Sequence, residues 1–159
     1  MIKKAIALGL TAMLLFAVAA PLAMAITRDE YKARVEPICK KNSEANDRIL
    51  KTVRKEVKED KLKTAGAKFI KASNALNKTY NELKAVEQPA EDTAKLTKWL
   101  GYVKTEADLF RSAGKALKAG NKSKAQKFVN QLTSNANKAN ATVLSFGFRY
   151  CKFEPSKYT

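Results

Sequence analysis

Residues 89–120 read PAEDTAKLTKWLGYVKTEADLFRSAGKALKAG, and their apolar spacing decides the fold class. Leu96, Trp99, Leu100, Val103, Ala107, Phe110 and Leu117 lie on a three-and-four spacing, which places side chains on one face of a helix. Pro89 suits the first turn, where a missing N–H is tolerated. Gly120 and Asn121 stop this helix and cap the next, since glycine takes the left-handed cap conformation and asparagine accepts from a free N–H.

The same period continues on both sides. Downstream it runs through Ala125, Phe128, Val129, Leu132, Ala136, Ala139, Val143 and Phe146. Upstream it runs through Leu62, Gly66, Phe69, Ser73, Leu76, Tyr80 and Leu83, with Asp60 as the expected N-cap. Further upstream, Thr27-Arg28-Asp29-Glu30 is a capping box. It opens a stripe of Tyr31, Val35, Ile38, Asn42, Ala45, Ile49 and Val53 that extends to about Glu59. Pro37 interrupts that helix, and a kink is expected where its ring meets the Ala33 carbonyl. No segment alternates with period two for long enough to make a sheet. The fold class is therefore all-α, and short connections between four stripes predict an up-down-up-down antiparallel four-helix bundle. Phe69, Trp99, Phe110 and Phe128 are expected in its core. Asn42, polar within an apolar stripe, is expected to hydrogen-bond across the core or fix helix register, with a ligand contact as the alternative.

Residues 1–25 have the organisation of a secretory signal peptide. Lys3 and Lys4 precede an uncharged run from Ala5 to Ala20, Pro21 ends it, and Ala23-Met24-Ala25 is a small-x-small cleavage pattern. The apolar run is short for a bilayer span of roughly 20 residues; a retained anchor is the competing reading. The chain then divides into the signal peptide (1–25), the bundle (26–146) and an aromatic, basic tail (147–159). Export places the domain in a bacterial periplasm or the extracellular space.

Composition narrows the chemistry. The chain has 31 Lys and Arg, 15 Asp and Glu, and no histidine. Without Lys3 and Lys4, 29 basic residues face 15 acidic ones, a net +14. Met1, Met13 and Met24 all lie in the signal peptide, so the mature domain lacks both His and Met. Haem and copper need His, Met or Cys ligands, and two cysteines are too few for a zinc or iron–sulfur site without histidine, so no transition-metal role or cofactor is expected. Serine–histidine and cysteine–histidine catalysis are impossible, no Gly-rich phosphate loop is present, and the reading is a protein that is not an enzyme; the enzyme alternative, a paired-carboxylate hydrolase, would need a pocket with converging carboxylates or lysines of perturbed pKa.

Cys39 and Cys151 are an even pair in an exported chain, for which a disulfide is the default. In an up-down bundle the end of the fourth helix returns to the start of the first, where a folded-back tail brings them together. A redox pair would more commonly be Cys-x-x-Cys. Tyr31, Ile38-Cys39 and Asn42 form a Y-x6-I-C-x2-N pattern, and Gly147-Phe148-Arg149-Tyr150-Cys151 forms G-F-x2-C. In these motifs the chain resembles a group of exported bacterial helical proteins, often membrane-anchored, to which no activity is assigned. It departs from them in its Lys and Asn content and in Pro37. The resemblance implies a helical fold and a Cys39–Cys151 bridge, and implies no activity.

Two windows concentrate positive charge. Residues 51–63 hold Lys51, Arg54, Lys55, Lys58, Lys61 and Lys63 against Glu56, Glu59 and Asp60. Residues 111–127 hold Arg111, Lys115, Lys118, Lys122, Lys124 and Lys127 with no acid. In the bundle both windows fall at one pole, which would attract an anionic envelope polymer, lipopolysaccharide or acidic lipid headgroups by Coulomb steering and counterion release. Lysine predominates and few aromatics interleave, so nucleic acid is not the expected partner. The competing reading is a solvated face that keeps the protein soluble. A protein-interaction or chaperone-like module is the alternative function, and an exposed apolar groove would mark it. The tail residues Phe146, Phe148, Tyr150, Phe153 and Tyr158 are expected to be pinned on the bundle end, with a membrane-interface role as the alternative.

Overall fold

The computed structural model describes residues 26–157; the signal peptide read over residues 1–25, and Tyr158, lie outside them. The described residues form α1 (Arg28–Leu50), α2 (Val53–Lys58), α3 (Leu62–Lys84), α4 (Thr93–Lys118) and α5 (Lys122–Thr142), with short 3-10 turns and no strand. None of these helices is long and apolar enough to cross a membrane.

The capping box opens α1 as read: the Thr27 hydroxyl accepts from the Glu30 N–H and the Glu30 carboxylate accepts from the Thr27 N–H. The helix that this box opens is shorter than read. α1 is assigned unbroken across Pro37, which is exposed, and the chain breaks after Leu50. The break has a tertiary cause. Glu56 in α2 accepts from Thr52 and pairs with Lys68 of α3, so α2 is held on α3 and off the line of α1. Asp60 is not the N-cap of α3. It takes a left-handed conformation (φ 55°) that closes α2, and Lys61 is the N-cap without a side-chain bond. Gly120 and Asn121 act as read, with Gly120 at φ 75° and the Asn121 side chain accepting from the Lys124 N–H at 2.8 Å, whereas Pro89 precedes a 3-10 turn at Ala90–Asp92 and α4 starts only at Thr93.

α3 and α4 pack most extensively. Gly66 and Gly114 face each other so closely that a Cβ on Gly66 would lie 2.5 Å from the Gly114 carbonyl oxygen, and one on Gly114 2.7 Å from that of Gly66. Beyond this crossing, Phe69 and Phe110 rings meet at 5.5 Å and the Ser73 hydroxyl donates to the Ala107 carbonyl at 2.7 Å. α1 packs on α3, α5 packs on α4, and direct packing between α1 and α5 is slight.

The tail stands between those two helices. The Cys39–Cys151 disulfide joins it to α1 with a Cα–Cα distance of 5.0 Å, as expected. The Glu36 carboxylate accepts from the backbone N–H groups of Arg149 and Tyr150. On the other side the Asn140 amide exchanges two hydrogen bonds with the Phe153 backbone, at 2.9 and 3.0 Å. Phe146 and Phe148 are buried, the latter 5.6 Å from Trp99, while Tyr150 and Phe153 are half-buried. Phe128 departs from expectation: it is half-buried among lysines instead of in the core.

Candidate functional site

The two basic windows meet because two turns of one kind lie side by side. After α2, the Lys61 N–H bonds the Glu56 carbonyl at 2.8 Å and the Asp60 N–H bonds that of Val57 at 3.3 Å. After α4, Asn121 and Gly120 repeat this with Ala116 and Leu117, both at 2.9 Å. This is the Schellman closure, which a left-handed residue makes possible. A hollow of about 520 Å³ between the turns is lined by residues 60–64 and 117–120, and Lys122 spans them with an ion pair to Asp60.

Within this pole the acids are already engaged. Burial raises the Glu56 carboxyl, but hydrogen bonds from Lys68 and Thr52 outweigh it and hold Glu56 below its ordinary range. Glu59 pairs with Lys55 and Lys61, and Asp60 with Lys122. Among the described residues, Lys51, Lys58, Lys63, Lys115, Lys118, Lys124 and Lys127 are exposed and form no ion pair, and Arg54 is exposed on α2. Arg111 is the exception. It is half-buried and donates to the Asn74 side chain of α3 at 2.6 Å, which turns it away from the pole.

Helix polarity separates these lysines into two sets. Lys55, Lys58, Lys115 and Lys118 lie in the last turns of α2 and α4, where a cation complements the helix dipole. Lys61 and Lys63, and Lys122 and Lys124, lie at the starts of α3 and α5, where a cation opposes it. Neither helix has an acidic residue in its first turn.

Beside α2 a second hollow of about 620 Å³ opens toward α5, walled by Val53, Phe69, Ala113, Leu117 and Ala125 and edged by Arg54, Lys58 and Lys122. Val57 and Val129, both half-buried, also line it, and its lining surface is more apolar than polar. The exposed large hydrophobic among the described residues is Leu144, away from this pole.

A different polar feature lies beneath the tail. Glu106, 2% exposed, sits on the core face of α4, and its Oε2 accepts from Asn135 of α5 at 2.8 Å. Burial pushes its carboxyl up to about 7, with the Asn135 bond pulling the other way. The Asn135 amide also donates to the Tyr102 carbonyl at 3.0 Å, so this residue makes the cross-core bond expected of Asn42. Asn42 itself is half-buried, and its Oδ1 finds no partner within the protein. Sequence reading passed over Glu106 and Asn135, although a signal exists. Glu106 is three residues after Val103 and four before Phe110, and Asn135 is three after Leu132, so both occupy stripe positions.

Among the described residues no group of three or more His, Cys, Asp or Glu side chains is placed to hold a metal ion. No family model, curated protein or solved structure matches this chain.

Proposed function

We propose that this chain is a non-enzymatic exported protein, an up-down helical bundle whose basic pole binds anionic polymers or lipid headgroups of the cell envelope. The observation that carries this reading is the placement of Lys61, Lys63, Lys122 and Lys124 at helix starts. Solubility needs charge, but it does not need charge where each cation weakens its own helix by about 0.3–1 kcal/mol. A local choice that conflicts with the fold marks a functional position. The hollow between the two turns adds shape to that field, and seven exposed lysines of the pole form no ion pair among the described residues. The α2–α5 hollow, apolar within and basic at its edge, is the feature that the protein-interaction alternative would use.

Sedimentation with anionic vesicles, neutral vesicles and purified anionic cell-wall polymer, at low and high salt, tests this reading. Binding to the anionic materials is expected to fall steeply with salt as counterions are no longer released. Reversing Lys115, Lys118, Lys122 and Lys124 to Glu is expected to abolish it. An absence of binding at low salt would refute the proposal.

A further inference from the structure

The break after Leu50 leaves a gap that the bundle does not fill. α2 packs on α3, and its direct packing against α5 is slight, so α2 and α5 face each other across the hollow of about 620 Å³. The floor of this hollow is the core itself, at Val53, Phe69, Ala113, Leu117 and Ala125. Its sides are more open. Val57 of α2 and Val129 of α5 line them, each half-buried, and keep apolar surface within reach of an occupant.

The edge carries one sign of charge. Arg54, Lys58 and Lys122 stand there, all exposed, beside the exposed and uncharged Ser123 and Gln126, and no acidic side chain lines the hollow. Lys58 forms no ion pair among the described residues. Lys122 pairs with Asp60, which lines the neighbouring hollow between the two turns, and Leu117 lines both hollows. An apolar slot with a cationic edge matches a molecule that is apolar along its length and anionic at one end. Its volume falls within the about 300–1,000 Å³ of small-molecule sites. A helix of a protein partner, about 10 Å across, would place little more than one turn there. We propose that the α2–α5 hollow takes the single acyl chain of an anionic amphiphile, with its phosphate or carboxylate headgroup held at the edge by Arg54, Lys58 and Lys122. Such a site rests on the reading of the pole as an anion-binding surface and narrows the ligand to an envelope lipid. The pole attracts the headgroup, and the hollow separates a lipid from a polymer that has no chain to insert.

The disulfide-bonded protein is titrated calorimetrically with butyl, octyl and dodecyl phosphate and with dodecyl maltoside, all below their micelle concentrations, at low and high salt. One saturable site is expected, tightening about threefold for each methylene that enters the hollow. Dodecyl maltoside, with the same chain and no charge, is expected to bind about tenfold more weakly at low salt. High salt is expected to weaken dodecyl phosphate far less than anionic cell-wall polymer, because chain burial is not screened. Val129→Gln and Ser123→Trp are each expected to weaken dodecyl phosphate about tenfold and to leave polymer binding unchanged. Ser123 is exposed on the edge, so its variant keeps the fold where Val129→Gln disturbs packing. Equal affinity for butyl and dodecyl phosphate returns the hollow to a protein partner and overturns the proposal. So does dodecyl phosphate binding that both folded variants leave unchanged. Polymer and vesicles that fail to bind at low salt refute the pole reading instead, and the chain-length series reads the hollow separately from it.

Discussion

Lys63 and Lys124 allow fold and function to be driven in opposite directions. Lys63 is the second residue of α3 and Lys124 the third of α5, and neither has an ion pair among the described residues. Turning each to Glu replaces an unfavourable helix-dipole interaction of about 0.3–1 kcal/mol by a favourable one of the same size. Glu at position 124 also stands three residues after the Asn121 cap, the spacing of a capping box. The double variant is therefore expected to gain about 2 kcal/mol, which for a domain of this length raises Tm by about 6 °C. The matched variant Lys115→Glu with Lys118→Glu places the same charges at the end of α4, where they lose dipole stabilisation. Both variants change the charge of the pole by the same amount and differ in the helix end at which they change it. Scanning calorimetry at low salt is expected to show Tm rising in the first and falling relative to it in the second, with the gap closing at high salt. Polymer and vesicle binding is expected to fall in both. A Tm decrease in the first variant, or retention of its binding, would refute the reasoning.

Four further outcomes follow from the core and the bridges. Replacing Cys39 and Cys151 by Ser opens a loop spanning 112 residues and is expected to cost on the order of 4–5 kcal/mol, read as a Tm drop of about 15 °C. Glu106 has its folded value raised to about 7, so its neutral form stabilises the fold at low pH and that contribution declines from about pH 4 to pH 7. Glu106→Gln is expected to match the wild type in urea unfolding at pH 4 and to exceed it by about 3 kcal/mol at pH 8. Asp92, buried and bonded by Arg28 at 2.8 and 2.9 Å, is held below the usual carboxylate range. Its stabilisation is present at neutral pH and lost as pH falls through the acid range. Asp92→Asn is expected to lose about 2 kcal/mol at pH 7 and to flatten the acid limb of the stability profile. Gly66→Ala drives a methyl into the Gly114 carbonyl and is expected to cost about 3 kcal/mol in denaturant midpoint measurements.

The helices were legible because local spacing suffices to write them. Phe69, Leu76 and Leu83 on α3, and Leu96, Trp99 and Phe110 on α4, are buried as their period requires. The disulfide was legible from the signal-peptide pattern and the cysteine count. What escaped depends on partners distant in sequence. The break after Leu50 contains neither Gly nor Pro, and arises where Thr52 and Glu56 meet Lys68 on the next helix. The Gly66–Gly114 crossing requires knowing which turns of two helices face each other. Asp60 looked like a cap because aspartate favours both N-caps and left-handed turns, and only the backbone decides between them. At the pole, the basic windows were plain in sequence, but the division of lysines between helix starts and helix ends required the true boundaries. The Glu106–Asn135 bond went unread because a glutamate within an apolar stripe was passed over.

The Cys39–Cys151 bond makes the chain from residue 39 to residue 151 a covalent ring that holds most of α1 and all of α2 to α5. The three connections between long helices, at residues 51–61, 85–92 and 119–121, all lie on that ring. A single proteolytic cut in any of them leaves both fragments tethered through sulfur. Such a nick relocates the chain ends without dispersing the domain. Release of a fragment from within the ring therefore takes two cuts instead of one.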